Sequence, residues 1–118
     1  MRAPRGLGVR DRKELSELVL TLEKAPFSHR IKSVRVFGSA ARGEMGADSD
    51  LDVLVIADSR DTVLFKELIA IAFGIFLKHG RYISLKLFSE EDFAELSRLK
   101  TPFISAVSRE GRILWSRS

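Results

Sequence analysis

Apolar side chains recur along this chain with two periods, one close to 3.6 residues and one of two residues, which predict helices and strands respectively. The first helix is predicted to begin at Asp11, which with Glu14 resembles a capping pair, and to end before Pro26. The other predicted elements are strands over residues 31–37, 51–57, 81–88 and 112–115, a short helix from Ser39, and helices over residues 61–79, after Ser89 and from Thr101. The predicted order is α-β-α-β-α-β-α-α-β, with no internal repeat.

The segment from Asp61 to His79 is the most apolar part of the chain. Lys66 and Glu67 interrupt it and Gly80 supplies a C-terminal cap, so the pattern predicts a buried helix rather than a membrane span. Apolar residues lie nearly all the way round this helix, whereas a helix packed on one sheet has a free face. The free face is predicted to form a subunit interface, with a second copy of the chain as a candidate partner, unless neighbouring helices cover it.

Composition limits the classes of protein to consider. A length of 118 residues suits one domain, predicted over residues 11–118, preceded by a flexible basic arm over residues 1–10. The arm accounts for much of the net charge of +4, and a solvated tail is the simplest interpretation of it. Cysteine is absent, which excludes disulfides and thiolate metal sites. No signal-peptide pattern begins the chain, so a cytoplasmic location is expected.

Two amino acids are also missing, since the sequence contains neither Asn nor Gln, while 31% of its residues are charged. Depletion of thermolabile amides together with abundant charge is typical of proteins from thermophiles. A GC-rich genome could produce part of the same bias. Composition therefore favours a thermophilic source but does not require one.

The stretch between Val34 and Ile56 carries the candidate chemistry and reads VRVFGSAARGEMGADSDLDVLVI. Asp50 and Asp52 are one residue apart, so on an extended strand their side chains leave the same face and can share a cation. Gly38 allows a tight turn, and Ser39 can begin a short helix whose free N–H groups face an anion. One side of this turn suits phosphate and the other suits a hard metal ion.

These residues resemble the signature of the DNA polymerase β-like nucleotidyltransferase superfamily, and within it the minimal nucleotidyltransferases of bacteria and archaea. The signature is Gly-Ser, ten residues, then Asp-x-Asp, which Gly38-Ser39 and Asp50-Leu51-Asp52 match without a gap. The resemblance implies an α/β (α+β) fold with a small mixed sheet, helices mainly on one face, and the phosphate and metal residues on the open side.

The resemblance also implies roles for individual residues. Gly38, Ser39 and Arg42 would bind the triphosphate of ATP or another nucleoside triphosphate, and Asp50 and Asp52 would hold two Mg²⁺ ions and carry the catalysis. The reaction implied is transfer of a nucleoside monophosphate, AMP from ATP, to a hydroxyl acceptor. In this family the usual partner is a small helical HEPN-type ribonuclease, and the two proteins form a toxin–antitoxin pair.

The sequence departs from the family at the third carboxylate, which active members usually carry on the third strand. Aligning YISLKLF with that strand places Ser84 at this position, and serine cannot provide the negative charge that a metal ligand or general base needs. Lys86 is predicted to point to the same face, where it could contact phosphate or pair with Asp52. An ordinary exposed strand lysine is the alternative interpretation.

Three functions therefore stay open at this point. The first is a working Mg²⁺-dependent nucleotidyltransferase that uses Asp50, Asp52 and water, or a carboxylate from a partner. The second is a catalytically impaired antitoxin that acts by binding its partner. The third is a nucleic-acid-binding module using the basic arm, which ranks last because no aromatic stacking platform accompanies it.

Overall fold

The computed structural model describes residues 9–38 and 50–116, which include four helices and four strands. The helices are α1 (Val9–Lys24), α2 (Thr62–His79), α3 (Glu90–Leu99) and α4 (Pro102–Glu110), and a 3₁₀ turn covers Ser28–Arg30. The strands are β1 (Ile31–Phe37), β2 (Leu51–Ala57), β3 (Ile83–Ser89) and β4 (Arg112–Ser116). The short helix predicted from Ser39 lies outside the described residues.

The four strands form one sheet in the order β3-β2-β1-β4. Strand β1 pairs antiparallel with β2 and with β4, while β2 pairs parallel with β3. The parallel pair is possible because α2 connects β2 to β3 as a crossover. The sheet is therefore mixed, and the predicted α+β class is confirmed.

Helices α1 and α2 cover one face of the sheet and enclose the main core. Alternate residues of the central strands, such as Val53 and Val55 in β2, point into it and are fully buried. The stripe of α2 that faces this core consists of Leu64, Leu68, Ala72 and Ile75. This burial follows from the helical spacing seen in the sequence, because residues three and four apart share one face.

The described residues cover the other face of the sheet only in part. Leu54 and Ile56 of β2 form a second, smaller core with Val107 of α4, and four phenylalanines pack around them. Phe103 of α4 makes edge-to-face contacts with strand residues Phe37 and Phe88, with ring centroids 5.5 and 6.1 Å apart. The structure thus adds α3 and α4 to the face that the sequence had left open.

The ends of the later helices follow the predicted signals. The side chains of Asp61, Ser89 and Thr101 each accept a hydrogen bond from the backbone N–H three residues on. Gly80 ends α2 in the left-handed conformation at φ 80°. The predicted start of α1 at Asp11 is wrong, since the helix already includes Val9 and Arg10. No glycine or proline interrupts residues 9–24, so nothing prevents the helix from extending back.

Neither α2 nor any other helix within residues 9–38 and 50–116 has the length and apolar character needed to cross a membrane. The predicted free apolar face of α2 is present, because Phe73 and Leu77 remain exposed to solvent. Ile69 and Ile71, on the flanks of the helix, are partly buried against the main core. The outward face of α2 therefore carries exposed apolar side chains beside the exposed Lys66.

Candidate active site

Asp52 lies at the centre of a row of three side chains at one end of the partly covered sheet face. In the β1–β2 pair it stands opposite Phe37, and in the β2–β3 pair it stands beside Ser84. Residues in register on neighbouring strands project from the same face, with backbones about 4.8 Å apart. The structure thus places Ser84 next to the carboxylate that it was predicted to face.

The turn after β1 passes directly over Asp52. Gly38 has φ +72°, a left-handed conformation that other residues adopt only with strain. A Cβ atom added at Gly38 would lie 2.5 Å from Oδ2 of Asp52, which is well inside van der Waals contact. The left-handed conformation therefore favours glycine here, and a larger residue would also have to displace the carboxylate oxygen of Asp52.

Asp50 precedes β2 and is exposed to solvent. The backbone next to it is fixed, because the N–H of Leu51 donates a hydrogen bond to the carbonyl of Tyr82 at 3.0 Å. Its charge acts on Asp52 and raises the pKa of that carboxyl group. The two carboxylates are thus close enough to interact, as expected for residues one position apart at the start of a strand.

The environment of Asp52 opposes its ionisation. Partial burial is the largest influence and raises its pKa above the ordinary value for an aspartate, and the neighbouring charge of Asp50 adds to this effect. The positive charge of Lys86 acts in the opposite direction but does not cancel the rise in pKa. A bound divalent cation would stabilise the ionised form of this partly buried carboxylate and would offset the repulsion from Asp50. The carboxylate is therefore suited to a metal ion.

A second row of side chains lies one step along the strands. In this row Leu54 stands between Lys86 of β3 and Arg35 of β1. The guanidinium of Arg35 lies over the ring of Phe93 of α3, 5.1 Å from its centroid, while Lys86 is exposed. Arg35 and Lys86 are therefore the two ends of this second row, which lies next to the row of Asp52. Their Cα atoms are about 10 Å apart, because β2 lies between their two strands.

Sequence reasoning identified Lys86 but missed Arg35. The available signal was alternation along β1, which places Arg35 on the same face as Phe37. Alternation alone could not show that this face adjoins Asp52, because the register between strands was unknown. The cover supplied by Phe93 and Phe103 was missed for a related reason, since the position of α3 and α4 over the sheet depends on tertiary packing.

Not every predicted site residue can be placed. Gly38, Asp50, Asp52, Ser84 and Lys86 lie together at the end of the sheet where β2 begins. Ser39 and Arg42, predicted to bind triphosphate, lie outside the described residues. Within the described part of the chain, no group of three His, Asp or Glu side chains could hold a metal ion. Among the described residues, Asp50 and Asp52 are the carboxylates that lie at this end of the sheet.

A family model described as "Nucleotidyltransferase domain" matches residues 12–114, nearly the whole chain. The chain belongs to this nucleotidyltransferase family. The Gly-Ser and Asp-x-Asp residues that indicated the resemblance all fall within the matched region. The match confirms the family that was predicted from the sequence.

One relative and two solved structures add detail to the nucleotidyltransferase assignment. A candidate protein adenylyltransferase of Methanocaldococcus jannaschii is 34% identical over 105 residues, which cover 89% of this chain and 98% of the relative. The spectinomycin adenyltransferase AAD(9) of Enterococcus faecialis, solved with ATP and spectinomycin, superposes with a TM-score of 0.68 at 18% identity. That match covers 90% of this chain and 56% of the other.

The second structure is a complex of a tri-AMPylated HEPN toxin of Shewanella oneidensis with its MNT antitoxin. A chain of this complex matches with a TM-score of 0.50 at 18% identity, covering 92% of the present chain and 74% of that chain. At such low identity both structural matches establish the fold alone. They are consistent with the mixed sheet of this chain.

Proposed function

We propose that this protein transfers AMP from ATP to a hydroxyl group on a HEPN-type protein partner in a Mg²⁺-dependent reaction. The observation that carries the proposal is the contact between Gly38 and Asp52. A turn whose left-handed conformation favours glycine lies against a carboxylate whose ionisation is opposed by its surroundings. This arrangement is costly for stability and is accounted for if the pair forms a site for phosphate and metal.

Asp50 and Asp52 would hold the Mg²⁺ ions. Their oxygens are the hard ligands that this ion prefers, and Asp52 gains a counter-charge that its partly buried position lacks. The chemistry that Mg²⁺ would supply there is neutralisation of triphosphate charge, while a hydroxyl attacks the α-phosphorus and pyrophosphate leaves. The triphosphate would be bound by the turn that begins at Gly38, with Ser39 and Arg42 in the roles that the family resemblance implies.

With Ser84 at the position of the usual third carboxylate, another group must accept the proton of the acceptor hydroxyl. A serine hydroxyl can orient an acceptor by a hydrogen bond, but it cannot accept the acceptor's proton at neutral pH. We propose that this proton passes to water or to a carboxylate that the partner supplies. Lys86, one row further along β3, would contact phosphate oxygens and offset their charge.

The comparisons support the choice of acceptor. The M. jannaschii relative bears the name of a candidate protein adenylyltransferase, and the S. oneidensis complex contains an AMPylated HEPN toxin. Both point to a protein as the acceptor of AMP. A hydroxyl-bearing side chain of a HEPN-type partner is therefore the acceptor that we propose.

Isothermal titration with ATP, with and without Mg²⁺, tests the site before any partner is known. We expect metal-dependent binding that is lost in the double variant Asp50→Asn, Asp52→Asn. The matched control is Glu90→Gln, Glu91→Gln, which removes two acidic groups from the first turn of α3 and should leave ATP binding intact. Absence of metal-dependent binding in the wild type would contradict the proposal.

A second candidate function is an antitoxin that acts by complex formation alone. Ser84 beside Asp52 favours it, because the position of the usual third carboxylate carries no charge. The two candidates differ in the outcome with a HEPN-type partner and labelled ATP. Transfer of label that requires Asp50 and Asp52 supports the enzyme, whereas tight partner binding that survives both substitutions, without transfer, supports the antitoxin.

A further inference from the structure

Tyr82 is an exposed aromatic residue at the end of the sheet that carries Asp50. It directly precedes β3, and its carbonyl accepts a hydrogen bond from the N–H of Leu51 at 3.0 Å. This bond continues the parallel pairing of β2 with β3 by one step and holds Tyr82 beside Asp50. The tyrosine therefore lies at the same end of the sheet as the two aspartates.

The ring of Tyr82 is held by packing but keeps a large exposed surface. Phe76 of α2 contacts it with ring centroids 6.0 Å apart and ring planes at 81°, which is an edge-to-face arrangement. The two rings are therefore not stacked face to face, and 40% of Tyr82 stays exposed to solvent. A tyrosine side chain has few rotatable bonds, so binding a flat ligand on this ring would cost little conformational entropy.

The order of the strands indicates which part of a nucleotide would lie here. The strands follow the order β3-β2-β1-β4, so Gly38 after β1 and Tyr82 before β3 lie on opposite sides of Asp52. In the proposed function, the triphosphate lies at the turn of Gly38, and the aspartates at the start of β2 hold the metal ions. The nucleoside end of the same molecule would then extend past the aspartates toward β3.

We propose that Tyr82 binds the base of the nucleoside triphosphate by stacking, and that it favours purines over pyrimidines. This inference rests on the proposed function, because the position of the triphosphate is taken from it. Tyr82 is two positions out of register with Asp52, which corresponds to a separation of about 8 Å between their Cα atoms. A ribose and its base can span this distance.

Stacking selects a base by its area rather than by its polar groups. Every base has a flat π-face, so stacking on an aromatic side chain tolerates different bases. A purine has two fused rings and a pyrimidine has one, so a purine would cover more of the exposed ring of Tyr82. Tyr82 would therefore distinguish ATP and GTP from CTP and UTP, but would not distinguish ATP from GTP.

Isothermal titration with ATP and with inorganic tripolyphosphate, both in the presence of Mg²⁺, provides the first test. Tyr82→Ala should weaken ATP binding about tenfold, because the stacking of the base on the ring is lost. Tyr82→Phe retains the ring and should bind ATP as the wild type does. Tripolyphosphate has no base, so its affinity should be the same in all three proteins.

The matched control is Phe65→Ala near the start of α2, since Phe65 is also an aromatic residue with 40% exposure. This helix begins beyond the other end of β2, so the control should bind ATP as tightly as the wild type. Metal-dependent ATP binding that Tyr82→Ala leaves unchanged would overturn the inference while the proposed function stands. Absence of ATP binding in the wild type would contradict both.

Competition among ATP, GTP, CTP and UTP tests base selection separately. We expect the wild type to bind the two purine nucleotides with similar affinity and the two pyrimidine nucleotides several-fold more weakly. Tyr82→Ala should bind all four alike, whereas a variant that was only less stable would bind all four more weakly and keep the preference. A wild type without the preference, or a Tyr82→Ala variant that keeps it, would show that Tyr82 does not bind the base.

Discussion

The side chains of β2 that point to the second core have different surroundings at the two ends of the strand. At one end Ile56 is covered by apolar residues of α4 and adjoins Phe88 of β3. At the other end Asp52 is only partly buried and lies under the turn at Gly38. The same strand and the same face of the sheet therefore serve packing at one end and candidate chemistry at the other.

This difference shows how a small domain can retain a carboxylate whose ionised form lowers its stability. Partial burial raises the pKa of Asp52, so its ionised form costs stability in the folded state. A few residues away, Leu54 is fully buried within the second core and contributes stability through apolar burial. The covered end holds in place the strand that presents Asp52.

The largest expected effect is at the covered end. Leu54→Ala should lower the free energy of unfolding by about 2 to 5 kcal/mol, because it removes a fully buried side chain and leaves a cavity. Denaturation by urea measures this loss. Leu99→Ala, at an exposed leucine, serves as the control and should cost less than about 0.5 kcal/mol. Equal losses in the two variants would show that the second core contributes little.

The next largest effect is expected at Gly38, whose turn lies against the carboxylate of Asp52. Gly38→Ala should lower stability by about 1 to 2 kcal/mol, because alanine is strained at φ +72°. It should also weaken Mg²⁺-dependent ATP binding, since the new Cβ atom would displace Oδ2 of Asp52. Thermal melting and ATP titration report the two effects separately. Gly74→Ala, where the added carbon meets nothing, should leave ATP binding unchanged.

Restoring a charge beside Asp52 should strengthen the site. Ser84→Asp places a third carboxylate in the same row, and we expect Mg²⁺ affinity and any transferase rate to rise about tenfold. Equilibrium titration with Mg²⁺ and a single-turnover transfer assay measure these changes. Lower affinity together with a lower rate would indicate that Ser84 does not occupy the position of the missing ligand.

The smallest expected effect is on the pH dependence of stability. The folded-state pKa of Asp52 is raised, so its ionised form costs stability at neutral pH, and this cost disappears as the pH falls below the ordinary pKa of an aspartate. Asp52→Asn should therefore raise the melting temperature slightly at neutral pH and leave it unchanged in acid. Mg²⁺ binding to the wild type should weaken as the pH falls through the raised pKa.

Asp61 provides a control with the opposite sign. Hydrogen bonds from the N–H of Leu64 and from Arg30 lower the pKa of this carboxyl group. Asp61→Asn should therefore lower the melting temperature at neutral pH, and the difference should vanish in acid as the wild-type carboxylate is protonated. A rise in melting temperature for both variants would show that local burial does not explain the behaviour of Asp52.

Much of the fold could be predicted from the sequence because its signals are local. Apolar alternation located β1 and β2 at their observed bounds, and the caps at Asp61, Ser89 and Thr101 marked the starts of α2, α3 and α4. The start of α1 was missed, since a capping pattern inside a continuous helical stretch does not end the helix.

The candidate site could be predicted only in part. Gly38, Asp50 and Asp52 were identified because they are close in sequence and form a spaced motif. Arg35 was missed, since its proximity to Lys86 depends on the register of three strands. The roles of Ser39 and Arg42 stay predictions.

By itself, the sequence determined the strands and helices, the nucleotidyltransferase family and the aspartate pair, because each depends on residues a few positions apart. Only the tertiary structure decided which residues meet across the sheet, such as Ser84 beside Asp52 and Gly38 above it. It also decided that residues of α3 and α4 pack on the second face around Leu54 and Ile56, while Asp52 on the same face is only partly buried. The physical reason is that strand register and helix packing arise from contacts between distant segments, which no local pattern encodes.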